Sequence, residues 1–193
     1  MRILQQTIQI EILNYFELTQ IEKSLIKRAC RARLNAQAPY SHYYVGCSII
    51  TEGDLFFEGC NVERVSWTQT DHAEQNAISS AIAKLGPLSI KAMAVVGTPE
   101  NQKVIWPPNK KLNNKPSITK VSDACPSCGH CLQIIVENCF RKNGEFDNSV
   151  SLLGYKSSTG EIYRTTIGDA LPMPFLPQHL GVNYANDPRV KKT

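Results

Sequence analysis

The segment Asp123–Gln133, DACPSCGHCLQ, sets Cys125, Cys128 and Cys131 at equal intervals. Two C-x-x-C pairs can be drawn from it, Cys125/Cys128 or Cys128/Cys131. Residues three apart share one helix face, so two thiolates at this spacing can reach one ion. A redox pair is the competing chemistry, but it prefers a thioredoxin-like βαβ start, and none precedes this segment. Far upstream, TDHAEQNAIS places His72 two residues before Glu74. Taken alone H-A-E says little, because a Glu three residues after Asp71 also fits a helix capping box.

Together the two segments say more. One neutral imidazole and two thiolates neutralise Zn²⁺ and leave the fourth tetrahedral position to water, the pattern of a catalytic and not a closed structural site. Both segments open predicted helices, whose positive dipole ends favour thiolate. Water on such an ion has a pKa near 7, and a carboxylate two residues from the histidine is placed to move its protons.

The elements that must position these groups follow from pattern. Thr19 and Glu22 form a T-x-x-E capping box ahead of a helix over 20–36 with one apolar face. YVGCSII (44–50) and LFFEGCNV (55–62) read as strands joined by a turn at Gly53. DHAEQNAISSAIAKLG (71–86) is an Ala-rich helix, capped by Asp71 with Glu74 and stopped at Gly86-Pro87. A buried strand over 91–97 precedes a Pro-, Asn- and Lys-rich stretch, 98–123, too long for an ordinary connection. A third helix over 128–140 and strands over 150–155 and 162–167 complete an α/β three-layer α/β/α sandwich around a mixed sheet.

The chain has 193 residues, 42% hydrophobic and 20% charged, with a formal charge of +4. That suits a single folded domain, 1–193, with its core over about 20–181 and a loose tail at 183–193. The mild charge argues against a nucleic-acid track. Seven cysteines, an odd number, clustered around a histidine, point to metal in a reducing compartment over a disulfide framework. No secretory signal and no membrane span is visible, so a cytoplasmic protein is expected.

The chain resembles cytidine deaminases. APYSHYYVG (38–46), GCNVERVS (59–66), TDHAEQNAIS (70–79), CGHCLQ (128–133) and LPMPFLPQHL (171–180) are similar to that family's motifs, in its order. The resemblance implies hydrolytic deamination of cytidine and deoxycytidine to uridine and deoxyuridine, releasing ammonia, with one Zn²⁺ per subunit. It assigns His72, Cys128 and Cys131 to the metal and leaves Cys125, ahead of Pro126, a spectator. His130 becomes a surface or oligomer contact. Glu74 would shuttle protons between water, N3 and the leaving amine. The Ala73 backbone would contact the base, Asn61 and Glu63 the ribose, and Tyr43 and Phe175 would sandwich the ring. Left without a sugar, a buried Asn/Glu pair would be costly, which selects nucleosides over free bases.

The chain departs from the family pattern in places. Tyr43 stands for Phe, Ser127 intervenes between Pro126 and Cys128, and Leu132 replaces an Arg that a His/Cys/Cys set needs less. The 98–123 insertion is long. Histidine-ligand relatives often carry a second, degenerate domain, for which this chain has no room. A partner subunit then supplies the missing contacts, in a homodimer ahead of a homotetramer. No nucleic acid and no membrane partner is expected. Two other readings compete: a deaminase of the same fold acting on another base or a polynucleotide, and a non-catalytic zinc-stabilised pseudoenzyme.

Overall fold

The computed structural model describes residues 1–108, 116–124 and 126–183. Cys125 and all but the first residue of the expected tail lie outside them. In chain order the elements are β1 (Glu11–Leu13), α1 (Gln20–Ala32), β2 (Tyr43–Thr51), β3 (Phe56–Cys60), α2 (Ala73–Leu85), β4 (Ile90–Pro99), α3 (Gly129–Val136), β5 (Ser151–Lys156), β6 (Glu161–Thr166) and the short α4 (Ile167–Ala170). The six strands form one sheet in the order β1-β6-β5-β4-β2-β3. Only β4 and β5 run parallel; every other neighbouring pair is antiparallel.

The layers follow from side-chain alternation along the strands. On β4, Ala94 and Val96 face α1, where Leu25, Ile26 and Ala29 are fully buried. Met93 and Val95 face the other way, toward Ala77 and Ile78 of α2 and Leu132 and Ile135 of α3. Each fully buried Leu or Ile contributes about 1.5–3 kcal/mol, so these two stripes fix which face each helix covers. The three-layer expectation is met.

Two glycines set how closely the helices sit. A Cβ at Gly46 would lie 2.1 Å from the Ala29 carbonyl oxygen of α1. A Cβ at Gly59 would lie 2.3 Å from the Ala77 nitrogen and 2.4 Å from the Ala73 carbonyl oxygen of α2. Both helices therefore rest their backbones directly on the sheet.

Several local expectations are corrected. The first helix ends at Ala32, with a 3₁₀ turn over Arg33–Asn35. The turn expected at Gly53 does join β2 to β3, with Asp54 beside it in the left-handed region (φ 57°). Helix α3 stops at Val136, because Asn138 and Cys139 turn back onto Ile135 and Val136 through tighter bonds. Strand β1, which pairs with β6, carries no strand signal in the sequence and lies ahead of the expected core boundary at residue 20. Arg164 ties this edge down by bonding both Glu11 and Glu22. No described helix is long and apolar enough to cross a membrane.

Candidate metal centre

Two helix starts converge. His72 is the N-cap of α2 and Cys128 the N-cap of α3, both in extended backbone conformation. Neither side chain caps its helix; both are turned to a common point. His72 Nδ1 lies 3.6 Å from Cys128 Sγ and 3.3 Å from Cys131 Sγ. Zinc bonds of about 2.3 Å to sulfur and 2.0 Å to nitrogen at tetrahedral angles set ligand atoms about 3.6 Å apart. The trio, with all ligand atoms within 4.8 Å of one another, thus fits one tetrahedral ion with a position to spare.

The expected Asp71–Glu74 capping box does not form, since α2 begins two residues after Asp71. Asp71 instead exchanges both backbone bonds with Val62, and its carboxylate pairs with Arg64 at 3.6 Å. Glu74 is thereby left for other work. It is 5% exposed and lies against Cys131 and near the buried Cys47. Burial, then the Glu74 and Cys128 charges, push the Cys131 thiol well up. Burial and neighbouring charge thus oppose a thiolate at this helix start, and a bound zinc ion would favour it. His130 is exposed, and its ring lies edge-on to His72 at 5.8 Å.

A cavity of about 610 Å³ opens beside the trio, lined by His72, Ala73, Glu74 and Cys128, and by Tyr43, Asn61 and Glu63. Asn61 and Glu63 are buried but already partnered. Asn61 accepts from Val45 N at 2.9 Å and donates to Tyr43 O at 3.0 Å. Glu63 accepts from the Ser41 hydroxyl and from the backbone N–H groups of Tyr40 and Ser41 at 3.0 and 3.1 Å. Burial works against this carboxylate, but those bonds hold its pKa below the usual range. The penalty expected for an unfilled sugar site is therefore not incurred. The Asn/Glu pair builds the pocket wall, and remaining lone pairs on Glu63 can still accept from a hydroxyl. The Ser41 contact escaped the sequence reading, although APYSHYYVG contains it; nothing in the pattern says that Glu63 folds back on it.

Phe175 is not brought into this cavity. It is 54% exposed, and its backbone is held on α3 by Gln133, which donates to Phe175 O at 2.7 Å and accepts from Phe175 N at 3.1 Å. Tyr43 does reach the pocket, with its ring laid over Gly97 of β4.

A mixed sheet between helical layers, with an imidazole and two thiols gathered at two helix starts above a buried carboxylate, defines a zinc-dependent hydrolytic enzyme. Residues 19–143 match the family model described as the cytidine and deoxycytidylate deaminase zinc-binding region. The chain belongs to that family. It is 31% identical over 160 residues to a cytidine deaminase of Sporosarcina psychrophila, covering 83% of this chain and 94% of that one. It is 28% identical over 151 residues to a cytidine deaminase of Halalkalibacterium halodurans, covering 78% and 91%. Among solved structures, the cytidine deaminase from Burkholderia pseudomallei superposes with a TM-score of 0.56 at 28% identity, over 82% of this chain and all of that one.

Proposed function

We infer that this protein is a zinc-dependent deaminase of free cytidine and deoxycytidine, with 1–193 acting as one catalytic domain. The observation that carries the reading is Glu74, buried two residues from His72, against Cys131 and on the wall of the cavity. His72, Cys128 and Cys131 would hold a zinc ion, which when bound would supply Lewis acidity and a nucleophilic water near neutral pH. Glu74 accepts the proton that water gives up, delivers it to N3 of the base, and later protonates the departing amine. The Ala73 backbone contacts the base edge, and Tyr43 covers the ring over the glycine floor. Asn61 and Glu63 bind the ribose hydroxyl from the wall they already stiffen.

Phe175 supports an assembly. An aromatic held on the outer side of α3, away from its own pocket, serves the pocket of another copy, in a dimer ahead of a tetramer. The modest charge favours a free nucleoside over a polynucleotide. The test is Glu74→Gln: zinc content unchanged and uridine formation lost. Fully zinc-loaded wild-type protein that yields neither uridine nor ammonia from cytidine would refute the reading.

A further inference from the structure

The cavity is longer than the nucleoside assigned to it. Its floor crosses four adjacent strands on the α2/α3 side: Val45 of β2, Val95 and Gly97 of β4, Gly154 of β5 and Tyr163 of β6. Asn61 and Glu63 follow β3 in the chain, but Asn61 bonds the backbone of Tyr43 and Val45 and Glu63 that of Tyr40 and Ser41, so both stand at the start of β2. Strands lie about 4.8 Å apart, so the three steps from β2 to β6 span roughly 14 Å. At bond lengths of about 1.3–1.5 Å, a nucleoside measures roughly 9 Å from amino group to sugar hydroxyl. About a third of the floor is left over, on the β5 and β6 side, away from the sugar residues.

This second arm is built into the fold. Its floor is Gly154, over which the Tyr163 ring is laid; a Cβ there would sit 2.0 Å from that ring. Its wall is Ile118, which packs on Tyr163 together with Ala124. Ile118 belongs to the long 98–123 insertion, whose described residues are anchored at separate points. Ser117 N donates to Glu161 at 3.0 Å, Tyr155 Oη donates to Ile105 O at 2.6 Å, and the buried Arg33 donates to Pro99 O at 2.7 Å. Lys156 and Asp123 stand at the rim with opposite charges, so the arm suits an uncharged group.

The orientation of the base follows from the functional reading above, on which this inference rests. With the sugar at Asn61 and Glu63 beside the start of β2 and C4 at the trio, the N1–C4 axis of the ring points across β4 toward β5. With N3 turned to Glu74 on α2, the exocyclic amine faces the second arm. We propose that this arm receives a substituent on that amine, so that the protein also hydrolyses N4-alkyl and N4-benzyl cytidines. The water oxygen becomes O4 of uridine, and the C4–N4 bond breaks. One water hydrogen ends on N3 and the other on the departing nitrogen, which leaves as the primary amine.

The test compares kcat/KM for N4-benzylcytidine with that for cytidine, read as uridine released, in zinc-loaded wild type and in Ser158→Trp. Ser158 lies on the exposed β5–β6 turn at the mouth of the arm, where a large ring does not threaten folding. The wild-type ratio is expected within about a hundredfold of unity, and the variant is expected to lower that ratio at least about tenfold. A wild type that deaminates cytidine but falls below that ratio overturns the inference, as does a ratio that Ser158→Trp leaves unchanged. Absence of uridine from cytidine itself would instead sink the underlying reading.

Discussion

His72 and Cys128 are 56 positions apart in sequence, occupy the same N-cap position on two different helices, and bring Nδ1 and Sγ to 3.6 Å. Neither side chain caps its own helix; each is turned to the other instead.

The metal set is tested by separate Cys131→Ser and Cys125→Ser proteins, assayed for bound zinc. Cys131→Ser is expected to lose the ion, because its Sγ lies 3.3 Å from His72 Nδ1 and completes the trio. Cys125→Ser is expected to keep it; the reverse result would move the pair to Cys125/Cys128.

Gly59 sets the height of α2 and with it the positions of His72 and Glu74. In Gly59→Ala the new Cβ meets helix backbone at 2.3 Å, which a side-chain rotation cannot relieve. A cost of about 1–3 kcal/mol is expected, lowering Tm by roughly 3–10 °C. Activity measured well below that Tm should fall too, since the carboxylate is displaced from the trio. An unchanged Tm would mean that α2 is not seated as described.

Stability should decline on the acid side through Glu22. Burial opposes its ionisation, but bonds from Arg164 and Thr19 hold its folded pKa below the ordinary value of 4.5. A depressed folded pKa gives stability that is present above 4.5 and is lost as pH falls through the folded value. Urea midpoints measured between about pH 6 and pH 3 should therefore drop more steeply for wild type than for Glu22→Gln. Parallel slopes would show that the Arg164 contact contributes nothing.

If Phe175 serves a neighbouring pocket, two defective proteins should restore each other. Glu74→Gln keeps its Phe175 and Phe175→Ala keeps its Glu74, so a mixed oligomer holds one pocket with both groups. Uridine formation by a co-refolded mixture should exceed the mean of the two parents. A mixture that matches that mean would place Phe175 outside the reaction.

The chemistry was legible from the sequence because it is carried by residue type and short spacing. Two thiols three apart, a histidine two residues before a glutamate, and apolar periods of 3.6 and 2 reveal the donor set, the helix starts and the layered fold without any long-range information. The two helices that hold the metal were found for the same reason, though not their exact ends. What only the tertiary structure decided are the pairings between distant groups. Asp71 bonds to Val62 instead of capping α2, because the strand end past β3 runs alongside it. Glu63 folds back on Ser41, Asn61 on Tyr43 and Val45, and Phe175 is taken by Gln133. β1 finds β6 across almost the whole chain. In each of these a polar group or a sheet edge is satisfied by whatever the fold sets beside it, and local spacing carries no record of that neighbour.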